Sequence, residues 1–161
     1  MSKIAGFKAY DIRGKVPSEL NTELAYKIGR AYSKLVNAKK IVVGYDIRKT
    51  STEISKALIN GFIDSGTNVI DIGLCGTEMI YFSTPSFDAD GGIMITASHN
   101  PPEYNGLKFV KRGSKPMGYD SGLREIEQMI IEDDLGEINV KKGKVEVLDI
   151  MNDFTEHLKN F

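Results

Sequence analysis

Two apolar, β-branched runs, at residues 92–97 and 107–111, are separated by a connection of only nine residues, Ser98 to Gly106. Parallel neighbouring strands need a crossover of about a dozen residues or more, whereas antiparallel neighbours need only a loop. The two runs are therefore predicted to be antiparallel neighbours in one sheet. This arrangement places Ser98 at the tip of the loop that joins them.

The rest of the chain alternates between strand and helix patterns. Further strand-like runs occupy residues 40–46 and 68–74, which are rich in β-branched residues. Short helices are predicted for residues 77–83 and 121–130, where apolar residues recur at helical spacing. This alternation predicts an α/β domain with a mixed sheet that is covered on both sides.

Two longer segments, residues 21–36 and 50–66, have the pattern of amphipathic helices. Asn21 is a suitable N-cap for the first helix. In the second, Thr50 and Glu53 have the spacing of a capping box. We expect both helices to pack against the sheet.

The sequence changes character after about residue 134. A charged, glycine-containing stretch leads to a short strand and to a new helical pattern that begins at Met151. We therefore predict a core at residues 1–134, followed at 135–161 by a closing strand and the start of a linker helix.

Composition excludes several classes of protein. The 161 residues suit one domain, and 21 basic against 22 acidic side chains give a net charge of -1, so neither nucleic acid nor a membrane is expected as a partner. Cys75 is the only cysteine, which excludes an intrachain disulfide and a multi-cysteine zinc site. No apolar run of about 18 residues and no signal peptide are found, and a cytoplasmic location is expected.

The loop after residue 97 contains residue types that could carry chemistry. Ser98 could be a nucleophile, and His99 and Lys108 could handle protons. Neighbours in extended backbone point to opposite sides, so Ser98 and His99 make a poor dyad. No serine lies in a G-x-S-x-G sequence, which disfavours a serine hydrolase. An elaborate turn remains an alternative, although a hairpin can close with about two to five residues.

Two other segments present arginines. Arg13 and Gly14 could offer a guanidinium and a backbone amide to a phosphate. Asp46 and Arg48 directly follow a predicted strand and precede a helix, which is a natural site for an anion. These two side chains could instead pair with each other and order their loop.

Three segments together resemble the N-terminal domain of the α-D-phosphohexomutase family, the phosphoglucomutases and phosphomannomutases. The segments are AYDIRG, VVGYDIRKTS and TASHNPPEYNGLK, and the last contains the specific T-[AG]-S-H-N-P signature. The resemblance covers essentially the whole chain. It implies a three-layer α/β/α fold of the phosphoglucomutase first-domain type, with a mixed, mainly parallel four-stranded sheet.

The resemblance also implies roles for single residues. Ser98 matches the serine that donates a phosphoryl group to a hexose monophosphate and recovers one from the bisphosphate, and its phosphate would help to bind Mg²⁺. His99 and Lys108 match residues near the reacting oxygens, with Lys108 the better candidate for proton handling. Arg13 belongs to the same catalytic group. Four further residues are expected to line the substrate or the phosphoserine loop: Tyr10, Asn100, Asn105 and Arg48.

The chain departs from the family pattern in what it lacks. The family's metal-binding D-G-D-x-D-R loop lies in the second domain and its sugar-binding G-E-x-S-G loop in the third, and neither motif occurs here. Tyr45 stands where many relatives have arginine. The resemblance therefore implies the first domain of a larger enzyme, inactive alone, whose partners are hexose phosphates and the missing domains of the same polypeptide.

The residues at positions 76–78, Gly-Thr-Glu, are similar to those of bacterial phosphomannomutases that supply mannose 1-phosphate for GDP-mannose. We therefore expect interconversion of mannose 6-phosphate and mannose 1-phosphate through a phosphoserine and a hexose 1,6-bisphosphate. Two alternatives remain open: a phosphoglucomutase of the same family, and a free-standing module that binds a phosphosugar without chemistry.

Overall fold

A computed structural model describes residues 3–161 and places the strands in a single seven-stranded sheet. The strands are β1 (Ile12–Lys15), β2 (Lys40–Tyr45), β3 (Asn68–Leu74), β4 (Gly91–Ile95), β5 (Tyr104–Lys111), β6 (Lys115–Met117) and β7 (Val145–Val147). The helices are α1 (Thr22–Val36), α2 (Ser51–Asp64), α3 (Thr77–Ser86), α4 (Leu123–Ile131) and α5 (Met151–Leu158). The predicted α/β class and the predicted long elements are confirmed.

The order of strands in the sheet is β1-β5-β4-β2-β3-β7, and β6 pairs with β5 outside this path. Strand β4 pairs antiparallel with β5, with Ile95 opposite Leu107. The antiparallel arrangement predicted from the short connection is therefore confirmed. Strand β5 lies between β4 and β1, so the N-terminal strand is brought beside the loop that carries Ser98.

The predicted number of four strands is wrong. The sheet is mixed as expected, but three pairs of strands are parallel and three are antiparallel, so parallel pairing does not predominate. The strands missing from the prediction are β1 and β6, whose sequences IRGK and KPM carry no apolar alternation. Strand β1 is held in the sheet by pairing with the distant β5, a contact that local composition does not reveal, whereas β6 forms a hairpin with β5 across the turn at Arg112–Ser114.

The core lies in two layers, one on each face of the sheet. Ile41 and Val43 of β2 join the cluster that α1, α2 and α4 cover. Val42, between them, joins the cluster that includes α3 and the start of α5. This alternation is the period of two expected of a strand that is buried on both faces, and it confirms the three-layer α/β/α arrangement.

The predicted helix starts have different outcomes. The Asn21 side chain accepts a hydrogen bond from the Leu24 amide, which confirms the predicted cap of α1. The capping box predicted at Thr50 is wrong, because Thr50 has helical backbone angles and its side chain makes no capping bond. Its hydroxyl instead accepts a hydrogen bond from Asn105, which is distant in sequence.

The C-terminal segment, residues 135–161, forms the other edge of the sheet. Strand β7 pairs parallel with β3 and is exposed along its length. Helix α5 begins at Met151, as predicted, and contains no fully buried residue. It packs against α3 through aromatic contacts. The centroid of the Phe82 ring lies 5.6 Å from that of Phe154 and 4.7 Å from that of His157. None of the helices described for residues 3–161 is long and apolar enough to cross a membrane.

Candidate active site

Ser98 lies just beyond the end of β4, on an exposed turn, and its backbone is in the left-handed region with φ 56°. This conformation costs a residue other than glycine about 1–3 kcal/mol and is concentrated at functional sites. The Ser98 amide donates to the Thr96 hydroxyl at 3.0 Å. Thr96 is buried, so the backbone of the exposed serine is tied to a fixed point at the end of the strand.

Backbone hydrogen bonds fold the connection between β4 and β5 into two tight turns. The Asn100 amide donates to the Ala97 carbonyl at 3.1 Å, and the Tyr104 amide donates to the Pro101 carbonyl at 3.0 Å. At the base of the loop the Thr96 amide donates to the Gly106 carbonyl at 2.9 Å. The loop is therefore a compact structure with Ser98 at its exposed end.

Gly106 permits three backbone segments to meet at the base of this loop. A Cβ atom at this position would lie 2.3 Å from the Ile12 carbonyl oxygen and 2.8 Å from that of Thr96. Backbone atoms cannot move aside as a flexible side chain can, so only glycine fits between β1 and the start of the loop.

Arg48 lies beneath the loop and binds its backbone. Its two terminal nitrogens donate to four carbonyl oxygens of the loop at 2.7–3.1 Å. The remaining nitrogen, Nε, lies 3.5 Å from an Asp46 carboxylate oxygen. The predicted pairing of Asp46 with Arg48 is therefore present, and Arg48 has no N–H group left for a phosphate.

Asp46 joins Arg48 to the sheet. One carboxylate oxygen accepts from the Arg48 amide at 3.0 Å and from the Ser51 hydroxyl at 2.7 Å. The Asp46 amide donates to the carbonyl of Ile95, the last residue of β4, at 3.0 Å. The segment that carries Arg48 is thus fastened to the strand that leads to Ser98.

Asn105 occupies a fully buried position at the start of β5. Its amide nitrogen donates to the hydroxyls of Thr50 at 2.9 Å and Ser51 at 3.0 Å. Its side-chain oxygen accepts from the Gly106 amide at 2.8 Å. These bonds hold the loop against the beginning of α2.

Arg13 extends from β1 to the same loop. Its Nε donates to Asp11 at 3.0 Å, and its Nη1 donates to the side-chain oxygen of Asn100 at 3.0 Å. Its other terminal nitrogen, Nη2, donates to no residue within 3–161, and 39 % of the side chain is exposed. Arg13 therefore retains donors that can bind an anion.

The structure does not bond the other predicted residues to Ser98. His99 is exposed, and the side chain of Lys108, half-buried opposite Met94, makes no hydrogen bond or ion pair within residues 3–161. Tyr10 is 85 % exposed and lines a separate open cleft of about 380 Å³, together with Tyr119 and other residues. The fold does bring Arg13 and Arg48 to the Ser98 loop, which itself contains Asn100 and Asn105.

The described residues alone do not fit a divalent metal. Residues 3–161 contain no cluster of three or more histidine, cysteine or acidic side chains that could bind one. The Asp11 carboxylate already accepts from the Arg13 side chain, and the Asp46 carboxylate accepts from the Arg48 amide and the Ser51 hydroxyl. Burial raises the pKa of the Cys75 thiol to about 12, so this thiol stays protonated at neutral pH.

Sequence reasoning missed the contacts of Thr96, Ser51 and Asp11. The Thr-Ala-Ser order at residues 96–98 carries a weak signal, since threonine often accepts from the amide two residues later. The other contacts join segments far apart in sequence and carry no local signal.

Comparisons with known proteins agree on one family. The protein-family model described as phosphoglucomutase/phosphomannomutase, alpha/beta/alpha domain I, matches residues 5–137. A phosphomannomutase of Vibrio cholerae serotype O1 is 46 % identical over 166 residues, which cover 100 % of this chain and 36 % of the relative. A phosphomannomutase of Klebsiella pneumoniae is 45 % identical over 157 residues, 97 % of this chain and 100 % of that relative.

A solved structure gives the same result. The X-ray structure of a phosphoglucomutase/phosphomannomutase family protein from Burkholderia thailandensis matches with a TM-score of 0.86 and 30 % identity, over 99 % of this chain and 36 % of that chain. The chain thus spans about a third of the length of this structure and of the Vibrio cholerae relative.

Proposed function

Because the chain belongs to the phosphoglucomutase/phosphomannomutase family, we propose that it is the serine-bearing part of a phosphomannomutase. The enzyme interconverts mannose 6-phosphate and mannose 1-phosphate through phosphorylated Ser98. The observation that carries this proposal is the exposed, left-handed Ser98 on a loop to which Arg13 brings unused N–H donors.

The proposed reaction has two phosphoryl transfers. In the first, the P–O bond at Ser98 Oγ breaks while a bond forms to a sugar hydroxyl oxygen, and the proton of that hydroxyl passes through Lys108 to Ser98 Oγ. The second transfer reverses these changes with the other phosphate of the bisphosphate. Such transfers depend on positioning and charge neutralisation, and among residues 3–161 no base is hydrogen-bonded to Ser98 as a hydrolase would require.

Other residues have proposed roles in this reaction. Arg13 binds oxygens of the phosphoryl group through Nη2. Lys108, which has no partner within residues 3–161, accepts or returns the sugar proton, and His99 contacts the reacting oxygens. Tyr10, on its exposed cleft, contacts the substrate.

Different segments of the polypeptide have different roles in this proposal. Residues 1–134 form the core of the first domain, and residues 135–161 form a closing strand and the start of a linker helix. The parts that grip the sugar come from further domains, as the 36 % coverage of the Vibrio cholerae relative suggests. A cytoplasmic location remains part of the proposal, and interconversion of glucose phosphates is the alternative activity.

We propose that Mg²⁺ binds only when Ser98 is phosphorylated and other domains add oxygen ligands. The carboxylates that contact the loop residues are already engaged, so this chain alone should bind Mg²⁺ weakly. Calorimetric titration of the chain with Mg²⁺ should give no saturable binding at micromolar concentrations. Tight binding would contradict this expectation.

Mass spectrometry tests the role of Ser98. Protein purified from cells should carry phosphate on Ser98 and should lose it in the Ser98→Ala variant. Ser114 is a matched control, because it also has φ 56° but bonds to the Tyr81 carbonyl. Phosphate at Ser114 and Ser98 alike, or at neither, would contradict the proposal.

Activity can be tested in a chimera in which this chain replaces the matching segment of the Vibrio cholerae relative. We expect turnover of mannose 1-phosphate that Ser98→Ala abolishes and Ser114→Ala preserves. Parallel assays with glucose 1-phosphate distinguish the alternative activity. A chimera that remains fully active with Ser98→Ala would overturn the proposed function.

A further inference from the structure

We propose that Arg48 is a positioning residue that fixes the backbone of the Ser98 loop, and that it does not bind the substrate phosphate. The proposal rests on the proposed function of Ser98 as the phosphoryl carrier. It assigns the two arginines near the loop to different tasks: Arg48 holds the loop, and Arg13 faces the ligand.

The contacts of Arg48 are all with the loop backbone. Nη2 donates to the carbonyls of Ser98 at 2.9 Å and Asn100 at 2.7 Å. Nη1 donates to the carbonyls of Pro101 at 2.8 Å and Tyr104 at 3.1 Å. One planar group therefore binds both turns of the loop at once.

The number of donors is decisive. A guanidinium has five N–H groups in a fixed plane. Four of them are used by the loop carbonyls, and the fifth faces Asp46 at 3.5 Å. A phosphate could bind Arg48 only by displacing one of these carbonyls or the Asp46 carboxylate. Arg13 differs because its Nη2 has no partner within residues 3–161.

The four carbonyls would be costly to place together without this cation. Their dipoles converge on one point, where they repel each other unless a positive group neutralises them. With Arg48 present, the carbonyl oxygens are also turned toward the guanidinium, so they are not free to face a phosphoryl dianion on Ser98. Arg48 thereby keeps the negative partial charges of the four carbonyl oxygens away from the phosphoryl group on Ser98.

Arg48 can hold the loop because its own position is fixed. Its amide and its Nε contact the Asp46 carboxylate, and the Asp46 amide donates to the Ile95 carbonyl at the end of β4. Only 14 % of the Arg48 side chain is exposed. The left-handed conformation of Ser98 is thus held from the strand through Thr96 and from below through Arg48.

Hydrogen exchange on the chain itself provides the first test. Arg48→Lys keeps the charge but offers three donors in a different geometry, so we expect the amides of Ser98 and Asn100 to exchange about tenfold faster or more. Arg48→Ala should have at least the same effect. Amides of β2 and β3 should change little, since Arg48 lies in the loop after β2.

Arg30→Lys is the matched control. Arg30 is buried and also donates to backbone carbonyls, those of Leu135 and Gly136, far from the Ser98 loop. Its substitution should accelerate exchange around residue 136 and leave the loop within about twofold of the wild type. Unchanged exchange in the loop of both Arg48 variants would overturn the proposal, as would equal acceleration by Arg30→Lys.

Chemical rescue separates positioning from general destabilisation. Millimolar guanidinium chloride, well below denaturing concentrations, should restore loop protection in Arg48→Ala, while equal sodium chloride should not. Rescue is expected because the added ion can occupy the same set of carbonyls. Failure of rescue in a variant that remains folded by circular dichroism would contradict specific binding of the four carbonyls.

The chimera described above links positioning to catalysis. There, Arg48→Lys should lower kcat about tenfold or more and leave KM within about threefold, because a misplaced phosphoryl group slows transfer more than it weakens sugar binding. A rise in KM with unchanged kcat would instead make Arg48 a substrate ligand and would overturn the inference.

The two proposals fail in different ways. If the chimera stays active with Ser98→Ala, the proposed function fails, whereas the exchange data still decide whether Arg48 orders the loop. If Ser98→Ala abolishes activity and Arg48→Lys changes neither kcat nor loop exchange, the function stands and the role of Arg48 is refuted.

Discussion

The Ser98 loop and the C-terminal segment both carry exposed residues, and an arginine binds backbone carbonyls in each, four in the loop and two in the C-terminal segment. The loop, residues 96–106, is fixed by hydrogen bonds to its backbone, among them the four from Arg48. The C-terminal segment, residues 135–161, has one short exposed strand and a helix without a buried residue. The comparison shows that the exposed tip of a loop can be ordered by donors that satisfy the carbonyls of its backbone.

The largest effect on the free energy of unfolding is expected from a glycine substitution in the loop, compared with one in the C-terminal segment. Gly106→Ala would force a Cβ against two backbone oxygens, and we expect a loss of about 3 kcal/mol in the free energy of unfolding. Gly136→Ala, at φ 75° with no atom within 4 Å, should cost only about 1 kcal/mol, from backbone strain alone. Urea denaturation measures both. Equal losses would show that the two regions are equally tightly packed.

A smaller effect is expected from Phe154→Ala. Phe154 is half-buried against Phe82, so the variant should weaken the docking of α5 by about 1–2 kcal/mol, less than the cost at a fully buried site. Hydrogen exchange should accelerate in α5 and not in the Ser98 loop. The exposed Asn152→Ala serves as the control. Faster exchange in the loop would show that the two regions are coupled.

Acid should loosen the C-terminal segment before the loop. Hydrogen bonds from the Tyr26 hydroxyl and the Lys142 ammonium lower the pKa of Asp64 below 3.8. A lowered pKa in the folded state contributes stability that is present above the unfolded value and is lost as the pH falls through the folded value. The protection of amides near Lys142, measured relative to the intrinsic exchange rate at each pH, should therefore fall as the pH drops below about 4. Asp64→Asn should remove this dependence.

The smallest effect concerns an exposed ion pair at the boundary of the segment. Lys34 Nζ lies 2.5 Å from the Asp134 carboxylate, and both side chains are largely exposed. Asp134→Asn should change the free energy of unfolding by about 0.5 kcal/mol or less, because water and salt screen the pair. Denaturation at low and high salt measures it. A loss above about 1 kcal/mol would mean that this contact anchors the segment.

Sequence reasoning succeeded where the signal is local. The β-branched runs marked β2, β3, β4 and β5, and the length of one connection was enough to set the antiparallel pairing of β4 with β5. It failed at β1, which is a strand because the distant β5 lies beside it, and local patterns cannot show such a pairing. It also failed at β6, although the turn with Gly113 that joins β6 to β5 is local.

In the candidate site, too, some residues could be predicted from local sequence and others could not. Ser98 and Arg13 could be proposed from motifs, and the structure brings Arg13 to the loop that carries Ser98. The four bonds of Arg48 could not be predicted, because the carbonyls it binds converge only after folding. The capping box at Thr50 failed for a related reason, since Asn105 from a distant strand engages that hydroxyl.

The pairing of β1 with β5 has a consequence for how the protein is made. Arg13 emerges from the ribosome early, but its strand can join the sheet only after Gly106 and Leu107 have been synthesised. Contacts between such distant residues form slowly, because a long loop must close first. The contact of Arg13 with the serine loop can therefore form only after most of this sheet has been translated.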